Sequence, residues 1–282
     1  MTSHFQQSLL TLNRESLFVV INSTLPKHVA FERAISIANS RSIKPHIVTF
    51  IGVDSTRIDD NPANAALFRT DQWVEEHIHA PLRQHNLTST VIYSWCSHWA
   101  NSIVHSASEC GASLILLRTE PNVGPKFTFN NAKWRVFKES KCPVLLVRSE
   151  ERPHSGVVLA AVKWQTHNEE QKILNAKILR QAKAVAAQTG SQLHVVNAYK
   201  DSLSHPNRGA LLAQADVPNT NAHLLQGDST QVVASVAKGL NADIVVAGTK
   251  GHSYSSHQVK VAKLEQLISL VTVDLLIVNQ DH

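Results

Sequence analysis

The chain states one pattern twice. Residues 107–121, ASECGASLILLRTEP, lie over residues 237–251, AKGLNADIVVAGTKG, with Thr119 on Thr249. The same offset of 130 positions places AKWRVFKESKCPVLLVR, from Ala132, over AKLEQLISLVTVDLLIV, from Ala262. A register held over this length constrains the fold strongly. The 282 residues resolve into two related domains, 1–150 and 151–282, each of a size that buries its own core. The polar stretch Glu150–Gly156, EERPHSG, carries Pro and Gly and marks the boundary. The two copies differ most at one turn, where Gly248-Thr249-Lys250-Gly251 stands against Arg118-Thr119-Glu120-Pro121.

Short apolar runs alternate with helical stretches in both copies. In the first, strands are expected at Leu17–Ile21, His46–Ile51, Ser89–Ser94, Leu114–Leu117 and Val144–Val147, with helices over residues 26–40, 66–84 and 98–110 and a break at Pro81. In the second they are expected at Val157–Val162, Leu193–Asn197, Ala222–Leu225, Ile244–Ala247 and Leu275–Val278, with helices over 169–188, 230–240 and 259–270. The second copy spends fewer residues between its second and third strands, so a helix around 208–215 must be short or irregular. Apolar strands joined by helical crossovers imply an α/β fold: two tandem open five-stranded parallel sheets with helices on both faces.

Composition narrows the function classes. A chain 43% hydrophobic and 17% charged fits folded soluble domains rather than disorder. No apolar run approaches membrane-spanning length and the first residues do not read as a secretory leader, so a cytoplasmic protein with no membrane partner is expected. Cys96, Cys110 and Cys142 are odd in number and widely spaced, which suits buried thiols in a reducing compartment. The net charge of +5 is scattered. The basic residues between Lys126 and Arg152 are interrupted by Glu139, Glu150 and Glu151 and lack an aromatic ladder, which argues against a nucleic-acid partner. His77 with His79, and His98 with His105, lack a third ligand, so no metal is expected. Neither a G-x-G-x-x-G fingerprint, a Walker loop nor a G-x-S-x-G elbow occurs, and Ser253, Ser255 and Ser256 have no motif-level base.

In an open parallel sheet, ligands bind beyond the carboxyl ends of the strands. In the second copy the loops there are Lys163-Trp164-Gln165 and Gly248–Gly251. Two readings of the glycines stand side by side: close approach by a phosphate with Lys163 adding charge, or a tight exit from a buried strand with Lys163 solvated.

The stretch Ala242–Gly251, ADIVVAGTKG, followed by an amphipathic helix and the closing strand Asp274–Val278, resembles the C-terminal signature of universal stress proteins. Both copies carry the pattern, and with the NAKIL to HVVNAY stretch of Asn175–Tyr199 the arrangement is similar to tandem, E-type universal stress proteins. The resemblance implies a five-stranded Rossmann-like domain, an intramolecular pseudo-dimer joined through the fifth strands, and a non-enzymatic stress-response protein. Survival of starvation, oxidants or DNA damage is part of that implication.

Some family members bind ATP through G-x2-G-x9-G-[ST] and an aspartate ending strand one. Carried over, Gly248 and Gly251 match the first pair and flank Thr249 and Lys250. The third glycine and its hydroxyl neighbour fall on Val261 and Ala262, and Lys163 takes the aspartate's place. In the first copy the positions hold Arg118, Pro121, Asn131, Ala132 and Asn22, so ATP binding is not expected there. The resemblance therefore implies at most weak binding of ATP or another adenine nucleotide by the second domain. It leaves open a binding or scaffolding module for an unidentified protein or small molecule, a weak nucleotide hydrolase or transferase, and a carrier of an apolar or lipid-like ligand. Homodimerisation of tandem chains is a further option.

Overall fold

The computed structural model describes residues 15–23, 25–53, 70–95, 99–119, 131–148, 154–250 and 257–280. Contacts divide the chain into two compact units, Met1–Arg118 and Thr119–His282.

The first unit is a parallel sheet in the order β3-β2-β1-β4. Its strands are β1 (Ser16–Ile21), β2 (His46–Val53), β3 (Thr88–Trp95) and β4 (Leu114–Thr119), the last closing the unit. Pairing runs from Ser16↔His46 to Ile21↔Ile51, and from His46↔Thr88 to Val53↔Trp95. Phe18 and Phe50, 5.5 Å apart between ring centroids, sit fully buried with Ile47, Ile115 and Leu116. Apolar side chains on both faces of β1, β2 and β4 need cover, which α1 (Val29–Ser40) and α3 (Trp99–Glu109) help to supply.

The helix expected over 66–84 is described from Asp71, with Thr70 capping it by accepting the Trp73 N–H at 3.2 Å. This helix, α2, runs through Asp71–Val74, a π turn Glu75–His79 and Ala80–Gln84. Pro81 has no N–H for the carbonyl four residues back, and the widened turn before it, in which the Ala80 N–H reaches the Glu75 oxygen, accommodates the ring. Ile78 and Leu82 still reach the core.

The second unit contains α4 (Asn131–Glu139), β5 (Val144–Arg148), β6 (Val157–Ala161), α5 (Glu169–Thr189), β7 (Gln192–Tyr199), α6 (Arg208–Ala215), β8 (Ala222–Gln226), α7 (Ser229–Gly239), β9 (Ile244–Thr249), α8 (His257–Leu270) and β10 (Asp274–Asn279). Its strands lie in the order β5-β10-β9-β6-β7-β8. All pair in parallel except β5 with β10, which is antiparallel with Leu146↔Leu275, Leu145↔Leu276 and Val144↔Ile277. The closing strands of the two repeats therefore meet within one chain, and two apolar edges that would invite aggregation are covered.

Crosswise caps reinforce the junction. Arg148, from the first repeat, donates to the carbonyls of Val271, at 2.7 Å, and Ile268, where α8 of the second repeat ends. Asn279, from the second repeat, donates to the Lys138 carbonyl at 2.7 Å, where α4 of the first ends. Each satisfies orphan carbonyls at a helix C-terminus.

Asp243 has a structural task. Its carboxylate accepts the N–H groups of Ser155, Gly156 and Val157 at 2.8–3.0 Å and lies 2.8 Å from His154 Nδ1, fixing the chain as it enters β6. Burial alone would raise its pKa, but the Ser155 and Val157 donors and the His154 charge outweigh it and hold the group below the usual range. Cys110 and Cys142 are outside any disulfide and half-buried rather than fully enclosed.

On neighbouring strands, His194 Nδ1 lies 3.0 Å from His223 Nε2, with the rings 12° from parallel. Burial lowers the pKa of both, and for His223 the charges of His194 and Arg208 add to it. Folded values below the unfolded value of about 6.5 mean that the unfolded chain takes up protons first as pH falls. The pair's contribution is whole above pH ~6.5 and shrinks below it, by at most about 1.4 kcal/mol per pH unit for each proton. Urea midpoints measured from about pH 7 to about pH 5 should fall less steeply in the His194→Gln, His223→Gln double variant than in the unmodified chain. Equal slopes would show that the pair does not titrate against folding.

Candidate functional site

The carboxyl ends of four strands in the second unit surround a cleft of about 880 Å³. β6 delivers Lys163 and Gln165, β7 delivers Lys200, Asp201 and Ser204, β8 delivers Gly227 and Asp228, and β9 delivers Gly248, Thr249 and Lys250. Leu174 and Ile178 from α5, Val233 from α7 and Leu264 and Leu267 from α8 form an apolar floor, and Lys263 of α8 stands on the rim.

Two buried asparagines set the loop after β6. Asn175, 2% exposed, accepts the Lys163 N–H at 3.1 Å and donates to the Lys163 carbonyl at 2.8 Å, while Gln171 donates to its oxygen. Asn197, fully buried, accepts the Trp164 N–H at 2.6 Å. Gln165 Nε2 donates to the Ala198 carbonyl at 2.8 Å. The loop's amides are thus bound by side chains projecting from α5 and β7, which holds its conformation without a ligand.

Gly248 lies inside β9, opposite Val278 of β10. A Cβ there would stand 2.6 Å from Leu174 Cδ1 and 2.8 Å from Ile178 Cδ1. The glycine lets α5 settle on the sheet, a packing role that neither of the two sequence readings included. Gly227 is different: its φ of 147° is a backbone that side chains rarely adopt, and it turns the chain from β8 into α7. Lys250 leans on the start of α5, with Nζ 3.2 Å from Asn168 Oδ1 and 3.5 Å from Glu170 Oε2.

The cleft's two carboxylates each cap a helical turn through Oδ1. Asp228 caps α7, accepting from the Thr230 N–H at 2.9 Å and the Thr230 hydroxyl at 2.6 Å, and the hydroxyl bond is the main reason its pKa is lowered. Asp201 accepts the Ser204 N–H at 2.9 Å, and the Ser204 hydroxyl bonds back to the Asp201 carbonyl.

Of the residues expected from the sequence, Lys163, Gly248, Thr249 and Lys250 come together in this cleft. Gly251 lies outside the described residues. Val261 and Ala262 fall within α8, where their side chains are likewise outside the described residues. In the first repeat, Glu120 and Pro121 also lie outside them. Sequence reasoning missed Asn175, Asn197, Lys200, Asp201, Asp228 and Lys263. Asp228 had a legible signal, an Asp-Ser-Thr run before an apolar helical stretch, which reads as a helix N-cap. Among the described residues, no group of three His, Cys, Asp or Glu side chains is placed to hold a metal ion, and no helix is long and apolar enough to cross a membrane.

No protein-family profile matches the chain, and no curated protein sequence does. Solved structures do. A functionally unknown protein from Pseudomonas aeruginosa PAO1 superimposes with a TM-score of 0.74 at 21% identity, covering 96% of this chain and 94% of that one. A putative universal stress protein from Pseudomonas aeruginosa UCBPP-PA14 gives 0.74 at 21%, covering 96% and 95%. A universal stress protein from Archaeoglobus fulgidus gives 0.68 at 14%, covering 94% and 96%. At such identities the likeness establishes the fold, and the chain has the tandem universal stress protein fold over nearly its whole length.

Proposed function

We propose that this chain is a tandem universal stress protein that works by binding rather than catalysis, and that the cleft of its second repeat holds a small anionic molecule. One observation carries the reading: lysines line a cleft whose floor is apolar and whose two carboxylates each cap a helical turn through one oxygen. A general base must be basic enough to take a proton within reach of substrate. Asp228 and Asp201 each accept cap N–H groups through Oδ1, the Thr230 and Ser204 hydroxyls donate within the same caps, and the bond from the Thr230 hydroxyl first of all holds Asp228 below the usual carboxylate range, which makes it a weak base. That pattern supports a holder of ligands over a hydrolase or transferase.

An adenine nucleotide is at best a weak occupant in this reading. Lys163 stands where ATP-binding relatives are expected to carry an aspartate, and Gly248 is engaged by Leu174 and Ile178. The repeat boundary near residue 150 is part of the proposal, because α4 and β5 belong to the first repeat in sequence while packing within the second compact unit. The first repeat serves as a built-in partner through β5. A role in surviving starvation, oxidants or DNA damage, and a cytoplasmic setting, follow from the family resemblance; Cys110 and Cys142, which are outside any disulfide, suit a reducing compartment. Native mass spectrometry of the full chain, purified gently, tests the reading, with a bound anionic small molecule as the expected result.

A further inference from the structure

The cleft is lined by four lysines, and they are not equivalent. Lys250 is bonded to Asn168 and paired with Glu170. Elsewhere in the unit, Lys172, Lys177 and Lys183 also donate to oxygens of the protein, those of Glu169, Gln280 and Gln214. The ammonium groups of Lys163, Lys200 and Lys263 donate to no described residue, although all three line the same cleft. They arrive from three separate elements, the ends of β6 and β7 and the helix α8.

We propose that Lys163, Lys200 and Lys263 form the anion subsite of the cleft, and that its occupant carries two or more negative charges on one head group, phosphoryl or carboxylate. The inference rests on the binding-module reading and goes beyond it by placing the charge away from the glycine turn. At that turn a helix, rather than a ligand, fills the space above Gly248. Three ammonium groups around one concavity repel each other, and an anion between them removes that cost. The neighbouring carboxylates do not cancel them fully. Asp228 faces Lys263 and lowers the local potential, but both Asp228 and Asp201 are bonded to backbone N–H groups at the starts of helical turns. The floor of Leu174, Ile178, Val233 and Leu267 fits an organic body behind the charged head.

Calorimetric titration of the full chain with inorganic pyrophosphate, and separately with citrate, tests the subsite. At least one anion should bind, and the tighter of the two identifies the head group. Lys163→Gln, Lys200→Gln and Lys263→Gln should each weaken binding about threefold, and the triple variant on the order of thirtyfold, as expected for exposed charges acting together. Added salt should weaken the unmodified chain more than the triple variant. Lys172→Gln, outside the cleft, should change nothing. All these lysines are solvent-facing, so folding survives their replacement, and thermal melts of the variants verify it. Absence of heat with both anions, or equal binding by the triple variant, would overturn the subsite. A neutral molecule found in the purified protein would also overturn it while leaving a ligand-binding role intact.

Discussion

Gly248→Ala lowers the stability of the second unit by about 1–3 kcal/mol, the usual cost of adding a methyl group to a filled space. The space is filled by Leu174 Cδ1 at 2.6 Å, Leu174 Cγ at 2.8 Å and Ile178 Cδ1 at 2.8 Å from the new carbon. Both side chains are buried, so neither can swing out without opening the contact between α5 and β9. A double-mutant cycle isolates the cause. Leu174→Ala alone leaves a cavity, whereas combined with Gly248→Ala it makes room for the methyl, and the two changes should couple by about 1–3 kcal/mol. If Gly248 existed only to admit a phosphate, Gly248→Ala would leave urea unfolding untouched and change ligand affinity alone. Unfolding and binding measured on the same variant separate these outcomes.

Asn175→Ala should cost about 2–4 kcal/mol, more than most single changes, because it strips partners from several polar groups at once. The Lys163 N–H and carbonyl lose their bonds of 3.1 and 2.8 Å, and Gln171 loses its acceptor. The site is 2% exposed, so water does not readily replace the lost side chain. Asn197→Ala should act in the same direction by releasing the Trp164 N–H. Both variants loosen the loop that carries Lys163 and Gln165 into the cleft, and ligand affinity should fall with stability. Unchanged urea midpoints would mean that the loop holds its shape without the asparagines. Unchanged affinity in a destabilised variant would mean that the loop does not serve the ligand.

The central strands were readable because each is a short apolar run whose burial on both faces erases alternation, as in β1, β4 and β5. The pairing of β5 with β10 was implied by the family resemblance, and the bare apolar edges that Val144–Val147 and Leu275–Val278 would otherwise leave agreed with it. The asparagine clamp was not readable. Asn197 meets Trp164 across 33 residues, and nothing local to either position marks the contact. Lys200 and Lys263 were equally silent, because a lysine after a strand and one on a helix look like ordinary solvated charges until the fold brings them to one cleft. The π turn in α2 needed the geometry as well, since Pro81 announced a break but not its form. Gly248 was singled out with two explanations, and its contact with α5 was not legible because it depends on where Leu174 and Ile178 come to lie.

Native mass spectrometry of the chain bears most directly on the central claim that the second repeat's cleft holds a small anionic molecule. The account predicts a population heavier than the bare chain by the mass of an anionic ligand, lost on denaturation and reduced when Lys163, Lys200 and Lys263 are replaced together by Gln. A chain that stays bare after gentle purification, and remains bare in the presence of nucleotides, pyrophosphate and citrate, would contradict it.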